Sequence, residues 1–526
     1  MSLSIAATLD AAQQHFHAGR LDEAAQLLSE VVEADPANGD ALEGLAYIAA
    51  NRRDAALAAD YFDRAIAHLP ITPERLRDAG AASQAAGRHA RAVELFEQSL
   101  QLAPRDLVTL NAAGMSLSEL GEHEGALQML IRARDVSPGM WQIHYNMGRA
   151  LGFLGRYDDE MAAYRRAIEL KPDCVAAYVN LGVALRDLHR FDEALRVFKK
   201  AVQLDPNDAG VRTNRSHTNL LLGQFEHGWR EYEWRWRDGK QPLEFDGERL
   251  WLGDAPLAGK TLFVHNEQGF GDTLQFVRYV EACKKKGAHV VLRVQNELLP
   301  LIASYSGADV VIGMRDEVPP FDYHCPLLSL PFALKAHASP IPSATPYLHA
   351  DEARREPWQQ RLADELRPRI GVAWSGSRTH VNDRRRRSMQ LAEWATLFEA
   401  DASFVSLVKD VREDDRETLS SLSASGTVQD VSDSLASFAD TAALIAELDL
   451  VICIDTAVAH LAGALGKPVW ILLPYSPDWR WLLNRTDSPW YPSARLFRQA
   501  DRIDWAPVIA QVRAALDEFV GSIERG

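Results

Sequence analysis

Two short segments of this chain combine residue types suited to moving a proton and holding an anion. The first is Gly269–Phe270–Gly271–Asp272. Glycines at such a turn let the backbone bend sharply and leave room for an acceptor close to the main chain at Gly269 and Gly271. A carboxylate at Asp272 could take a proton from a hydroxyl as general base; the plainer alternative is that it caps the following helix. The second is Asp455–Thr456–Ala457–Val458–Ala459–His460. A helix opening there presents free N–H groups and a positive dipole end to a phosphate or diphosphate. Thr456 would add a hydroxyl donor, and His460, one turn in, either points at the same anion or is simply packed.

Other groups stand at the ends of apolar runs. Trp374–Ser375–Gly376–Ser377 closes one run and leads into Arg384–Arg387, a basic cluster in an acidic chain. Such a cluster binds phosphate or forms a solvated loop. Lys409 closes the run FVSLVK. The sequence holds no complete GxxxxGK[S/T] phosphate loop, since Asp254 stands where the first glycine before Gly259–Lys260–Thr261 would be, and no HExxH or GxSxG, so ATPase, zinc-protease and serine-hydrolase chemistry lose their main support.

These groups need a scaffold, and strand-like runs alternate with helical ones around them. Thr261–His265, His289–Val294 and Ala308–Ile312 read as buried strands of one lobe. From residue 366 the pattern restarts with RIGVAWSGS, FVSLVKD, VQDVSD, LDLVICID and PVWILLP. Helices are expected at Asp440–Leu448 and Val458–Leu465, with a closing helix at Trp505–Val520. Alternation of this kind predicts parallel sheets covered on both faces, in two lobes joined near residues 340–365, with ligands outside the strands' carboxyl ends.

The first half has a fixed period. Pro36, Pro70, Pro104, Pro138, Pro172 and Pro206 stand 34 residues apart, and Gly19, Arg53, Gly87, Gly121, Gly155, His189 and Gly223 keep the same spacing. Small residues do too: Ala12, Ala46, Gly80, Gly114, Gly148 and Gly182, then Ala24, Ala58, Ala92, Ala126 and Ala194, with Glu160 breaking the last set. Small residues let antiparallel helices approach, a left-handed glycine ends the first helix, and the proline starts the next link. A 34-residue helix–turn–helix of this kind is the tetratricopeptide repeat, which stacks into a superhelix with a concave groove. Asn146, Asn180 and Asn214 share one repeat position and could grip an extended peptide, or only satisfy neighbouring helices. The aromatic run from Phe225 to Trp251, with Trp229, Tyr232, Trp234 and Trp236, reads as a capping segment or, more sharply, a cation cage. The expected domains are residues 1–237, 238–350 and 351–526.

Composition narrows the class. The 526 residues are 47% hydrophobic and 25% charged, as in globular proteins, and the net charge of −16 argues against general nucleic-acid binding. The four cysteines fit neither a zinc spacing nor a disulfide framework, no metal site is expected, and no run of about 18 apolar residues spans a membrane. With no leader pattern in MSLSIAATLD, the expectation is a cytoplasmic protein.

The stretch DTAVAHLAGALGKPVWILLPYSPDWRWLLNRTDSPWYPSARLFRQ, with GVAWSGS, NDRRRRSM, FADTAALIAELDLVICIDT and EQGFGDTLQF, resembles bacterial tetratricopeptide-repeat glycosyltransferases related to the lipopolysaccharide heptosyltransferases. The resemblance implies an all-α repeat superhelix followed by an α/β GT-B half of two Rossmann-like lobes. It also implies inverting transfer without metal, using a nucleotide-sugar co-substrate rather than a bound cofactor. By the same resemblance Asp272 is the base, while Asp455, Thr456, Ala457 and His460 hold the donor phosphates. Heptosyltransferases usually carry glycine where Ala457 stands, so donor contacts differ there.

The architecture is also similar to protein O-GlcNAc transferases, whose asparagine ladder grips peptides, and to some flagellin glycosyltransferases. The expected reaction moves sugar to a serine or threonine hydroxyl of a protein acceptor held by the repeats. Lys409 with Arg384 or Arg385 would stabilise the leaving phosphate, alongside Trp374, Ser375 and Gly376. Phe438 and Asp440 would meet base or ribose, and Trp479 and Trp481 either pack on the sugar or belong to the core. The competing readings are a non-catalytic repeat scaffold with a degenerate transferase domain, and a transferase for a glycan or lipid with the repeats used for assembly.

Overall fold

The computed structural model describes residues 4–237, 239, 242–336, 341–376, 387–502 and 504–523, and divides into two compact units, Met1–Pro206 and Asn207–Gly526. Among the described residues the first unit is twelve helices in six antiparallel pairs, from Ile5–His17 to Phe191–Leu204. Every residue of the 34-residue turn set is left-handed: φ is 75° at Gly19, 62° at Arg53, 74° at Gly87, 82° at Gly121, 72° at Gly155 and 58° at His189. Arg53 and His189 therefore hold the turn at a steric cost of roughly 1–2 kcal/mol that glycine avoids. Ala24, Ala58, Ala92, Ala126 and Ala194 are fully buried where paired helices meet. At Gly182 a Cβ would stand 2.6 Å from Phe198 Cε1, so the close approach there requires glycine.

The second unit opens with helices Ala209–Leu221 and Phe225–Tyr232 and the 3-10 segment Glu233–Arg237. Gly223, at φ 73°, continues the repeat turn. The compact units thus divide one helical pair before the expected boundary at 237, because this last pair spends its aromatic face on the α/β core, as described below. The aromatic run encloses a cation of its own chain: the Arg235 guanidinium lies 4.4 Å from the Tyr232 ring centroid and 4.2 Å from that of Trp236.

Two parallel sheets follow. One has β1 (Thr261–His265), β2 (His289–Val294), β3 (Val310–Gly313) and β4 (Tyr323–Pro326), in the order β3-β2-β1-β4. The other has β5 (Arg369–Ala373), β6 (Ser403–Ser406), β7 (Val428–Gln429), β8 (Leu450–Ile454), β9 (Val469–Leu473) and β10 (Ala494–Arg498), in the order β10-β9-β8-β5-β6-β7. All pairings are parallel, as in Val264 opposite both Leu292 and Cys325. β5, β8 and β9 are buried along their whole length, which explains why they read as unbroken apolar runs.

Numbered within its lobe, the larger sheet runs 3-2-1-4-5-6 and the smaller one 3-2-1-4, the doubly wound order. This is the expected α-superhelix followed by two Rossmann-like lobes, and it is consistent with GT-B. The crossover direction reverses between β1 and β4 and again between β5 and β8, so each lobe has a crevice at the carboxyl ends of those strands. β4 and β10 were not expected from sequence. The closing helix, Ala506–Ile523, packs on β10 and on the 3-10 segment Leu391–Glu399. Among the described residues no helix is long and apolar enough to cross a membrane.

Candidate active site

The front-lobe crevice is built from the loop leaving β1. Asn266 continues the ladder through its N–H to the Arg293 carbonyl (3.1 Å), and Gln268 takes a left-handed φ of 56° before helix Phe270–Phe276 begins. Asp272 Oδ2 accepts the Gly269 N–H at 2.8 Å, so Asp272 does cap the helix. Its Oδ1 faces the other lobe, where it pairs with Arg480. Capping thus engages one carboxylate oxygen, and the ion pair with Arg480 engages the other across the lobe junction.

The two lobes meet at this point. A Cβ on Gly271 would lie 2.8 Å from His460 Cδ2 and 3.7 Å from Ala457 Cα, so the glycine permits contact between helix Phe270–Phe276 and helix Ala457–Ala464. The two segments singled out in the sequence, 269–272 and 455–460, therefore face each other. Phe270 also reaches Phe438 of the rear lobe, with ring centroids 5.0 Å apart.

In the rear lobe the ends of β5 and β8 converge. A Cβ on Gly376 would stand 3.2 Å from Thr456 Cγ2 and 3.0 Å from Arg387 Nη2. Arg412 Nη2 donates to the Gly376 carbonyl (3.1 Å) and to Ser388 Oγ (2.9 Å), and Ser388 Oγ accepts the Gly376 N–H (3.2 Å). Ser375 Oγ is buried with no hydrogen-bond partner among the described residues. Thr456 caps its helix by accepting the Val458 N–H at 3.3 Å. Ser375, Gly376, Arg387, Arg412 and Thr456 so form a polar cradle at the switch point, two of its members cationic. Among the described residues this is the arrangement best suited to an anionic leaving group.

Several expected residues have other partners. Trp374 is fully buried and donates its indole N–H to Asp415 (2.9 Å), which makes it a support for the cradle. Lys409 Nζ donates to the Ala436 carbonyl (2.9 Å). Asp440 closes a capping box with Ser437 and pairs with Arg354. Trp479 and Trp481 are both buried; Trp481 stacks on His460 with centroids 5.3 Å apart. Arg384 and Arg385 lie outside the described residues. In the repeats Asn146 donates to Asn111 Oδ1 (3.0 Å) and Asn180 to Tyr145 Oη (3.2 Å), each reaching back to the preceding repeat. Asn214, in the second unit, donates to the carbonyl of Gly210 (2.9 Å).

The charges at the lobe junction are coupled. Burial, and then Asp478, push the Asp455 carboxyl up to about 6 against the pull of Arg387 and Arg480. Burial, reinforced by Arg480, holds the His460 imidazole down to about 3, so it is neutral at pH 7 and shares its Nδ1 with Tyr491 Oη at 2.9 Å. Burial opposes the charge of Arg480, but Asp478 and Asp272 more than offset it and raise its pKa. Arg480, Asp478, Gln275 and Arg412 were not singled out from sequence. Arg480 and Asp478 sit within SPDWRW, whose local pattern says nothing of a partner 208 residues away.

Comparison with known proteins gives the following. Residues 9–74, 111–173 and 145–209 match the family model "Tetratricopeptide repeat", and residues 365–501 match "Glycosyltransferase family 9 (heptosyltransferase)". The second match takes in β5 to β10 and the Asp455–His460 segment. Protein FlbA of Caulobacter vibrioides is 29% identical over 346 residues, covering 60% of this chain and 56% of that protein, so the chain spans about half the length of this curated relative. Among solved structures, YrrB, described as a TPR protein with an unusual peptide-binding site, is 18% identical with a TM-score of 0.31, covering 32% of this chain and 88% of that one. A tetratricopeptide repeat protein from Parabacteroides merdae is 15% identical with a TM-score of 0.39, covering 46% and 94%.

Proposed function

For a chain that carries tetratricopeptide repeats and a glycosyltransferase family 9 segment, we propose that it transfers a sugar from a nucleotide-sugar donor to a hydroxyl of a protein acceptor, with inversion and without a metal. The observation that carries this reading is the meeting of the two switch-point crevices, with Gly271 against His460 and Ala457. A donor seated on the rear-lobe cradle places its anomeric carbon toward the front-lobe loop. The acceptor oxygen forms its bond to that carbon as the carbon–phosphate oxygen bond breaks, and Asp272 takes the hydroxyl proton. The freed phosphate charge falls on the N–H groups opening helix Ala457–Ala464, on Thr456, and on Arg387 and Arg412, a preorganised set of donors. Serine or threonine on a protein suits this scheme because repeat arrays present extended surfaces to polypeptide.

The test has two stages. Thermal shift with UDP-, CMP-, GDP- and TDP-sugars should raise the midpoint for one nucleotide class. Intact-mass analysis of candidate protein acceptors, flagellin among them, coexpressed with this chain should then show one added sugar mass. Stabilisation by no nucleotide sugar would favour a scaffold, and transfer unaffected by removal of residues 1–206 would favour a glycan or lipid acceptor.

A further inference from the structure

Arg480 belongs to the rear lobe, yet its guanidinium ends on the front-lobe carboxylate proposed as the base. Each of its three nitrogens has a fixed acceptor. Nε donates to Gln275 Oε1 (2.9 Å), Nη1 to Asp478 Oδ1 (2.8 Å) and Nη2 to Asp272 Oδ1. The guanidinium carbon lies 4.2 Å from the Trp479 ring centroid, and the Arg480 carbonyl accepts the Trp490 indole N–H at 2.7 Å. The turn that presents it ends at Leu482, whose φ of 50° and ψ of −163° lie where only glycine is comfortable. Such strain persists only where surrounding contacts over-determine the backbone.

A carboxylate has about four lone-pair positions. In Asp272 one is taken by the Gly269 N–H and one by Arg480, which leaves a defined pair of directions for an incoming hydroxyl. The planar fork of arginine fixes such a direction, whereas an ammonium group does not.

We propose that Arg480 is a positioning residue that sets the direction of the Asp272 carboxylate, so that the base on one lobe is aimed by the other. This rests on the reading of Asp272 as base in sugar transfer. It makes Asp478 and Gln275 the anchors of the aiming group. It also requires the charge and the fork together, because the charge alone would attract Asp272 without orienting it.

The test is steady-state transfer by the full chain, using the nucleotide sugar and protein acceptor found by thermal shift and mass. Wild type, Arg480→Ala, Arg480→Lys and Asp272→Asn are compared, each with its melting midpoint recorded. A misaimed base costs about 100-fold in rate. The expected result is a fall of that size in kcat for Arg480→Ala with donor KM within about threefold, recovery of about tenfold on adding millimolar guanidinium, and little rescue in Arg480→Lys. If Arg480→Ala does not fold, Arg480→Lys decides, since lysine keeps the charge without the fork. Unchanged kcat in that variant, or a loss confined to donor KM, overturns the proposal while leaving the transferase reading intact. Absence of transfer by wild type, with Asp272→Asn no different from it, removes both.

Discussion

Asp455 shows how single residues at the lobe junction tie stability to pH. Its carboxyl is pushed up to about 6 by burial and by Asp478, against an ordinary value of 3.8. Between those values the folded chain binds a proton that the unfolded chain has released, so unfolding free energy falls as pH rises through the window and the cost persists above it. Asp455→Asn removes that cost. In urea unfolding at pH 8 it should stabilise the chain by on the order of 1–3 kcal/mol, with the gain shrinking as pH falls and vanishing below 3.8. A variant no more stable than wild type at pH 8 would contradict the assignment. His460 acts in the opposite sense: held down to about 3 from 6.5, it contributes stability above 6.5 that is lost as pH falls toward 3. Asp272, Thr456 and His460 were legible in the sequence because each stands just past a strand, where a helix must begin. Arg480 was not, since two of its three partners, Asp272 and Gln275, lie on the other lobe and meet it only when the lobes fold together.

At the scale of elements, the helices and strands around the site depend on the last helical pair. Trp229 packs edge-on against Trp479, with centroids 5.2 Å apart, and against Phe276 at 6.0 Å. Tyr232 Oη accepts a hydrogen bond from Gln268 at 2.9 Å. Arg235 grips Glu267 bidentately, both bonds at 2.9 Å, and also reaches Ser329, so the segment braces the ends of both β1 and β4. The Arg235–Glu267 pair is buried, with burial pushing the Glu267 carboxyl up against the pull of Arg235. Arg235→Met leaves that carboxylate unpaired and should cost about 3–5 kcal/mol. The double variant Arg235→Met with Glu267→Leu should recover most of the loss, and a double variant as unstable as the single one would show that lost packing dominates. The repeat helices were legible because one turn recurs every 34 residues, even where Arg53 and His189 replace glycine. β4 and β10 were missed for physical reasons. Tyr-His-Cys-Pro carries too little apolar surface to read as a strand, and Ala-Arg-Leu-Phe-Arg sits at a sheet edge where arginine is tolerated.

For the whole molecule, the sequence period and the packing place different limits on the repeat array. The period runs on through Gly223, but residues 207–237 bury Trp229 and Tyr232 in the second unit. A chain of residues 207–526 should therefore fold and bind the same nucleotide sugar as the full chain while losing transfer to a protein acceptor. A chain starting at 238 should fail to fold, as circular dichroism melting would show. Equal stability of the two truncations would contradict the bracing described above. The proposed mechanism requires above all that the loop after β1 and the mouth of helix Ala457–Ala464 act on one substrate pair. The most direct test measures Asp272→Asn twice on one preparation, for donor binding by calorimetry and for transfer by mass. A donor Kd within about threefold of wild type and transfer reduced by about 100- to 10,000-fold are expected. Transfer at the wild-type rate would contradict the mechanism.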